Sequence, residues 1–587
     1  MRGPAAVVVG SVALALAVAA PASATSPPPP PSHWFVQAAP ANAPVGQGSR
    51  AHPLHSLDQV EQASAPEDRI VVLPAPRRLG PLDGGIELRP RQHLAGAGKR
   101  VIAAREPKRL AWITNTTDHI DGDGVRLARG SRVRNLKISS TGRGGVYGRN
   151  VGSVRVLGVD VSDHNLDCVP GFLIPPFNVP TTAPGVGIPI SDGLQNGWAG
   201  IMVDADKGSS KVLFRRNRIH DAECGDGLDV RASGDARVHA KLLRNRVSSL
   251  RQGADFASLL ALGLQSADDA RLFARLDRNR ERDLGNPTDA GVGPERADAE
   301  GVFVNLSGPA RARVTVDHNR YRNADALGGF SANGLEFVSM GEGSRGHVIV
   351  RNSSFERTPG DVIEQLALGT NGHLRMEMDN VSAGHSTGFG GTGNGNTILI
   401  PANNGDCLAT ASGGAGNAVQ TRITDSELTD CANNGILFGS AVANGSGNTK
   451  LISLDVRRTK ITGNLGANIR VGNLTGLGEL RMLVQDSNLS DSRGETPTGL
   501  ANVGFENLGT IRESQVDLGP GGLRSKGRNC ITGGNFAINV IGLFVVSAEH
   551  NWWGNPAGPA PGRVIATPGS AIHTDDPLAQ PPPSCDL

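Results

Sequence analysis

Arg216-Asn217-Arg218-Ile219 is the stretch that decides the fold, because versions of it return along much of the chain. In most versions a short polarity-alternating run ends at a small polar residue, and an apolar residue follows it closely. Most of the small polar positions return at intervals of roughly 27–40 residues, a repeat length that indicates a solenoid, a propeller or an array. The recurrences are Arg244-Asn245-Arg246-Val247, Arg278-Asn279-Arg280, His318-Asn319-Arg320-Tyr321, Asn352-Ser353-Ser354-Phe355, Asp379-Asn380-Val381, Ser426-Glu427-Leu428, Thr459-Lys460-Ile461, Ser487-Asn488-Leu489 and Ser514-Gln515-Val516.

Short strands fill the spaces between these positions. Arg313-Val314-Thr315-Val316 and His347-Val348-Ile349-Val350 alternate with period two, which is typical of a half-buried strand. A second run in most units opens with glycine, as in Gly301-Val302-Phe303-Val304. One such unit cannot bury its apolar face alone, whereas stacked units can, so the repeat predicts a rod of coils.

The asparagine in the repeat has a physical reason. Asparagine tolerates the left-handed backbone conformation of a sharp turn, and stacked asparagines hydrogen-bond from coil to coil. A propeller blade needs roughly 40–50 residues, more than most of the intervals in this chain. The sequence therefore predicts an all-β fold, a single parallel β-helix from about residue 84 to residue 555.

Three further stretches point the same way. They are Trp34-Phe35-Val36 with the segment that follows it, Gly84-Gly85-Ile86-Glu87-Leu88, and Asn551-Trp552-Trp553-Gly554-Asn555-Pro556. They resemble the capping segment, first rung and closing motif of right-handed parallel β-helix proteins of the pectin-lyase-like superfamily. The resemblance implies a right-handed solenoid in a group that includes polysaccharide lyases, glycoside hydrolases and adhesins. The catalytic motif sets of polygalacturonase-like hydrolases and of the best-known pectate lyases are missing from this sequence.

The composition changes along the chain and predicts five segments. Residues 1–24 are expected to be a secretory signal peptide, because an apolar run is followed by the cleavage-site pattern Ala22-Ser23-Ala24. Residues 25–33 form a proline-rich spacer, 34–83 a capping segment, 84–555 the β-helix and 556–587 a proline-rich tail. We expect an exported monomer, extracellular or periplasmic, without a membrane span.

Three regions of these segments are singled out. A short helix over 54–63 is expected to cap the open end of the rod. Residues 169–197 and 384–417 are predicted to be long loops. Residues 257–300 have helical character or contain a further coil.

Six cysteines suit an exported chain, and their spacing predicts three disulfide bonds. Cys407 and Cys431 are about one coil apart, and Cys168 and Cys224 follow similar sequences. Cys530 and Cys585 are then left to join the tail to the last coils. Metal binding is disfavoured because no closely spaced Cys/His pair is present.

The net charge is only +2, but it is unevenly spread. Residues 69–155 hold 18 Lys/Arg and 6 Asp/Glu, a local net charge of +12. Such a segment would attract an acidic polysaccharide or an anionic cell envelope. Nucleic acid is not predicted as a partner, because aromatic residues make up only 4% of the chain and no nucleic-acid-binding motif is present.

Four residues on outward strand positions are the predicted catalytic group. Asp229 and Asp255 are separated by about one coil of sequence and are expected to stack on adjacent coils, with Asp204 and Arg231 beside them. Paired carboxylates one coil apart serve as acid and nucleophile in glycosidases, and they also bind Ca²⁺. No cofactor is required, although Ca²⁺ is a candidate ligand. A solvated strand face is the alternative interpretation.

A second polar cluster is predicted in the turns near Cys168 and Cys224; its members are Asp163, His164, Asp167, His220, Asp221 and Glu223. Two functions stay open. The first is a lyase or glycoside hydrolase acting on an extracellular acidic polysaccharide. The second is a non-catalytic binding or structural β-helix protein of the cell surface. The scaffold alone does not choose between them.

Overall fold

Three long parallel sheets wrap around one core and make the chain a β-helix. The computed structural model describes residues 32–76, 78–98, 110–171, 196–253, 256, 258–285, 298–323, 332–387, 405–440, 449–473, 476–494, 501–507 and 509–587. We name the three sheets A, B and C. Along the chain a strand of sheet C is followed by a strand of sheet A and then, in most coils, by a strand of sheet B. All pairings between these strands are parallel. The predicted all-β class and the solenoid architecture are confirmed.

Each sheet is a stack of one strand per coil. Sheet A has 17 strands: β1 His33–Val36, β2 Arg69–Val72, β4 His93–Gly96, β7 Arg132–Arg134, β10 Ser153–Leu157, β13 Ser209–Arg215, β16 Arg237–Leu243, β19 Arg271–Asp277, β22 Arg311–Asp317, β25 Arg345–Arg351, β28 His373–Asp379, β31 Ala418–Thr424, β34 Thr449–Arg457, β37 Leu477–Gln485, β39 Ile511–Asp517, β41 Val545–Ser547 and β43 Ala571–His573. Sheet B has 11 strands: β5 Trp112–Asn115, β8 Lys137–Thr141, β11 Asp160–Ser162, β14 Arg218–Ala222, β17 Arg246–Leu250, β20 Arg280–Leu284, β23 Arg320–Arg322, β26 Ser354–Glu356, β29 Ser382–Gly384, β32 Glu427–Thr429 and β35 Lys460–Thr462. Sheet C has 15 strands: β3 Ile86–Glu87, β6 Val125–Arg126, β9 Val146–Arg149, β12 Ile201–Ala205, β15 Leu228–Ala232, β18 Ser258–Ala267, β21 Asp298–Ser307, β24 Leu335–Met340, β27 Ile363–Ala367, β30 Leu408–Ser412, β33 Ile436–Ser440, β36 Ile469–Asn473, β38 Ala501–Asn507, β40 Phe536–Ile541 and β42 Val564–Ala566.

A short corner joins sheet A to sheet B in successive coils, and its second residue is the buried asparagine of the repeat. Asn217 Nδ2 and its backbone N–H both donate to Asn245 Oδ1, at 3.1 and 3.0 Å. Asn245 donates in the same way to Asn279, and Asn279 to Asn319. The ladder ends where the Asn319 backbone N–H donates to the Ser353 hydroxyl at 3.1 Å. The hydrogen-bonded asparagine stack predicted from the sequence is confirmed.

The left-handed residue of the corner differs from the prediction. In the Arg-Asn-Arg coils the positive φ falls on the residue before the asparagine, with φ 56° at Arg216, 59° at Arg244 and 56° at Arg278. The buried asparagine side chain is committed to the ladder, so the preceding residue makes the bend. Asn352 and Asn380, in later coils, do carry the positive φ themselves.

The ends of the solenoid lie outside the predicted limits of 84 and 555. Sheet A already starts with β1 and β2, and β42 and β43 add strands after residue 555. A helix, α1, spans Leu57–Ala63 and buries Leu57 and Val60 in the core. The N-terminal helix expected over 54–63 is therefore confirmed.

Residues 258–284 form strands β18, β19 and β20, so the described part of 257–300 is the further coil that was the alternative prediction, and its helical interpretation was wrong. All ten residues of β18 are buried, and a strand covered on both faces has a continuous apolar run that resembles a buried helix. The loop predicted at 169–197 falls largely outside the described residues, as do the signal peptide and most of the spacer. The described part of the loop predicted at 384–417 contains strand β30, so that prediction was wrong there. In the part of the chain that is described, no helix is long and apolar enough to cross a bilayer.

Three disulfide bonds fasten neighbouring coils and the tail. They join Cys168 to Cys224, Cys407 to Cys431 and Cys530 to Cys585, with Cα–Cα distances of 5.4, 5.6 and 5.1 Å. The predicted pairing is confirmed in all three cases. Such bonds are typical of proteins that mature in an oxidising compartment.

One inward position of sheet B carries a carboxylic acid. Glu281 is 1% exposed and stacks between Val247 and Tyr321 in a column that is otherwise apolar or aromatic. Burial raises the pKa of Glu281 well above its usual value, because the interior disfavours the charged form. The side chain is therefore protonated in the folded rod.

The asparagine ladder predicts a stability cost for its removal. Asn279→Ala leaves the Asn245 N–H and the Leu242 carbonyl without their side-chain partner. We expect a loss of about 3 kcal/mol in the free energy of unfolding, since each stranded buried group costs about 1–3 kcal/mol. Urea unfolding measures it. The exposed neighbour Arg280→Ala serves as control and should change the value by less than about 0.5 kcal/mol. Equal effects of the two substitutions would contradict the structural role of the ladder.

The burial of Glu281 predicts that the free energy of unfolding depends on pH. The folded state keeps a proton that the unfolded chain releases above about pH 4.3, so the free energy of unfolding falls as the pH rises through this region. Glu281→Gln removes the titration. We expect its melting temperature to match the wild type at pH 4 and to exceed it at pH 8. Parallel melting curves across this range would show that Glu281 is not buried as described.

Candidate functional site

Three of the four predicted catalytic residues lie together on the outward side of sheet C. Asp204 in β12 is the register partner of Arg231 in β15. The Arg231 guanidinium contacts Asp229 Oδ2 at 2.8 Å, on the same face of the same strand. The sequence analysis thus placed these three residues correctly relative to one another.

The register of Asp229 with the next coil differs from the prediction. Asp229 pairs instead with Gly263 in the next coil, a position that follows Asp255 in the chain. The sequence argument assumed a shorter coil, whereas β18 begins only at Ser258. Asp255 itself lies outside the described residues.

The acid–arginine pair is also closed to solvent, against the prediction of an exposed face. Asp229 is 0% and Arg231 1% exposed. Burial raises the pKa of Asp229, although the Arg231 charge and hydrogen bond oppose the rise. A second apolar cluster continues along the same face of sheet C in later coils; its members are Leu260, Phe303, Val338, Leu366 and Ala411. A polymer therefore cannot reach Asp229 or Arg231, and their arrangement is that of a buried ion pair.

The second predicted cluster separates into two environments. His164 is 1% exposed, and its Nε2 lies 2.8 Å from the Asp226 carbonyl oxygen. Burial lowers the pKa of His164 to about 4, so its ring is neutral. His220 lies instead on sheet B, with Nε2 2.7 Å from Asp160 and Nδ1 2.6 Å from Asp221. Burial opposes the charge of His220, but hydrogen bonds to these two carboxylates raise its pKa overall. A charged ring held between two acids is a structural ion pair and a poor base.

The exposed face of sheet A has a different character, because cations stack on successive coils. Arg237, Arg271, Arg311 and Arg345 are direct register partners, each the first residue of its strand, and His373 continues the column. All five side chains are exposed. We call these residues the first column.

A second column lies two positions further along the same strands. Phe273, Arg313, His347 and Arg375 are register partners in it. The two columns line an open groove of about 640 Å³, and inward-facing positions such as Ala312 and Gly346 also contribute to its lining. The groove continues past Gln420 to Lys450. We call it the sheet A groove.

The charges of the groove are largely uncompensated. Arg271, Arg311, Arg313 and Arg345 form no ion pair within the described part of the chain. Arg375 pairs with Glu377 at 2.7 Å. Like charges on directly opposite positions of neighbouring strands are destabilising, so the column lowers stability unless an anion occupies the groove.

Histidines on the same face report its positive potential. Burial lowers the pKa of His239, and the neighbouring Arg237 and Lys211 lower it further. His93, nearer the N-terminus, is affected in the same way by burial and then by Arg132 and Arg134. The positive field therefore extends from the N-terminal coils to the groove.

Sequence reasoning found the basic segment at 69–155 but missed the groove. The signal was present: Arg271-Leu-Phe, Arg311-Ala-Arg, Arg345-Gly-His and His373-Leu-Arg each open a strand with an arginine or a histidine. The coils that separate these openings differ in length, so the pattern becomes visible only once the register is known.

One cluster in the described residues has the composition of a metal site. Asp277, Asp317 and His318 bring three possible ligand atoms within 4.8 Å of one another. Their carboxylates already interact with Arg278 at 3.7 Å and with Arg275 at 3.8 Å. The cluster is thus part of the surface ion-pair network.

A scan against models of known protein families found no match, and no curated protein matches the chain.

The buried pair on sheet C predicts a stability effect. Arg231→Met leaves the Asp229 carboxylate buried without its partner, which we expect to cost about 3–5 kcal/mol in the free energy of unfolding. Arg149→Met is the matched control: Arg149 lies in the same column two coils earlier and its side chain is 60% exposed. The control should change stability by less than about 1 kcal/mol. A folded, fully stable Arg231→Met protein would overturn the assignment of a structural pair.

Proposed function

We propose that this protein binds an acidic polysaccharide outside the cell, in the groove on sheet A. The observation that carries the proposal is the first column, in which four arginines stack on consecutive coils. None of the four has a carboxylate partner in the described parts of the structure. A protein gains nothing in stability from such a column, so its value lies in an anion that it binds.

The geometry of the column favours a glycan over a nucleic acid. Coils repeat at about 4.8 Å, the distance between neighbouring strands. Phosphates in a DNA duplex follow one another at about 3.4 Å along each strand, so they do not match the arginines one to one. Proteins that bind single strands add aromatic stacking platforms, whereas Phe273 is the one Phe, Tyr or Trp among the residues that line the groove. A chain with one carboxylate or sulfate per sugar suits both features.

Binding without catalysis is the better-supported form of this proposal. The catalytic group expected on sheet C includes Asp229 and Arg231, which are buried and closed to a polymer. Within the groove, Glu479 is the one lining carboxylate, and its partner Arg481 lies beside it. We therefore place the cell-surface binding protein ahead of the lyase or glycoside hydrolase.

The wider assignment follows the same line. We propose that the chain is exported and is a right-handed β-helix protein of the pectin-lyase-like superfamily. The parallel three-sheet solenoid supports the superfamily, and the three disulfides support export. Fold similarity carries no activity with it, so the function rests on the groove alone.

The proposal is tested by titrating polygalacturonate into the protein at several salt concentrations. We expect binding that weakens with salt, because each contact releases counterions. Arg311→Ser should reduce the slope of log K against log salt by about 0.7–0.9 and weaken binding about five-fold, roughly 1 kcal/mol.

Arg512→Ser is the control, because Arg512 is an exposed arginine further along sheet A, on β39, and lies outside the groove lining. This substitution should leave both the slope of log K against log salt and the affinity for polygalacturonate unchanged. Neutral dextran should not bind. Equal, salt-independent binding of polygalacturonate and dextran would refute an electrostatic site, and unsaturated or reducing-end products would restore the enzyme hypothesis.

A further inference from the structure

A second set of arginines lies at the corner between sheets A and B. Each Arg-Asn-Arg unit buries its asparagine in the ladder and leaves the two flanking arginines exposed. Backbone bonds connect the corner residues from coil to coil, from Arg216 to Leu243, from Arg244 to Asp277 and from Arg278 to Asp317. On the sheet B side, Arg218, Arg246, Arg280 and Arg320 are register partners. We call the seven arginines the corner ladder: Arg216, Arg218, Arg244, Arg246, Arg278, Arg280 and Arg320.

The corner ladder costs stability in its backbone. Arg216, Arg244 and Arg278 adopt left-handed conformations, which disfavour residues that carry a Cβ. At the equivalent corner position, other coils have Gly158, Asn352 or Asn380, residues that accept a positive φ more readily. An arginine in this place is therefore not required by the fold.

The charges of the ladder are also mostly unpaired. Arg218 lies 3.9 Å from Asp160, and Arg278 lies 3.7 Å from Asp277. The other five arginines form no ion pair with any described residue. Cations thus stack on cations over four coils, as they do in the groove.

The ladder and the groove are separate sites. The chain runs from Phe273 to Arg278 along one strand and its corner, a distance of about 16 Å at the rise of an extended strand. The strip between them carries both charges: Asp277 and Asp317 stack in one register column, and Lys241 and Arg275 stack in the column beside it. A polymer that runs along the groove, parallel to its columns, would have to turn aside and cross this strip of mixed charge to reach the ladder.

We infer that the corner ladder is a second binding site for acidic polysaccharide, so that one molecule holds two glycan strands and cross-links them. The inference rests on the proposed function of the groove. The chemistry of the ligand is the same in both places, because the ladder repeats its cations at the same coil spacing of about 4.8 Å. Two sites on different faces of one rigid rod convert a binding protein into a bridge between polymer chains.

The test uses a short galacturonate oligomer to count sites and long polygalacturonate to detect cross-linking. The corner variant is Arg216→Asn, Arg244→Asn and Arg278→Asn, in which asparagine accepts the left-handed backbone, so the fold should be at least as stable as the wild type. The groove variant is Arg311→Ser, Arg345→Ser and Arg375→Ser. A charge-matched control removes three exposed arginines elsewhere, Arg493→Asn, Arg512→Asn and Arg524→Asn.

We expect calorimetry to give two oligomers per wild-type or control rod and one per rod in each of the other variants. Wild type and control should make long polygalacturonate turbid, whereas the corner and groove variants should bind it without turbidity. If the wild-type rod binds one oligomer and the groove variant binds none, the second site is overturned and the proposed function stands. If the wild-type rod binds one oligomer and only the corner variant loses it, the proposed function of the groove is overturned, and the cross-linking with it. Oligodeoxythymidylate bound as tightly as galacturonate would overturn the assignment of the ligand as a glycan.

Discussion

The buried asparagine ladder is the interaction on which the rest of the rod depends. Each asparagine satisfies backbone groups at a corner where the strands of sheets A and B separate and cannot satisfy them. Buried backbone groups without partners are costly, so the corner has to hold a small amide or hydroxyl. Because the ladder fixes which corner lies above which, it also fixes the register of the strands on both sides. The arginine columns of the surface inherit their alignment from this interior interaction.

The ladder explains why the fold was predictable from sequence. Asn217, Asn245 and Asn279 recur at a recognisable spacing, and the alternation around them reveals the strands. The same local logic found the disulfide pairs, since stacked coils bring cysteines of equivalent turns together. It failed at β18, because a strand covered on both faces loses the alternation that identifies a strand.

The candidate site was less predictable, for a reason that concerns distance in sequence. Asp204, Asp229 and Arg231 are neighbours on two strands, and alternation alone places them on one face. Whether that face meets water depends on what packs over it in the folded rod, and Asp229 and Arg231 are both buried there. The pairing of Asp229 likewise depends on the length of a coil that no local pattern measures. Burial and register are thus properties of the assembled solenoid, and they decide which charges are available for chemistry.

Exposed arginines of this protein differ from its buried charges in how far a partner compensates them. A buried charge such as Arg231 is kept because a partner, Asp229, compensates it. The arginines of the groove and the corner ladder are exposed, repeated and mostly uncompensated, and three of them occupy left-handed positions that glycine or asparagine would fill more readily. Each of these choices lowers the stability of the isolated rod by a small amount, and the rod tolerates it because the asparagine ladder and the continuous core hold the coils in place. A scaffold that tolerates such repulsion can display charge at a fixed spacing of about 4.8 Å over several coils. That regular spacing is a property that a flexible basic segment lacks, and the proposed binding of a polymer with evenly spaced charges depends on it.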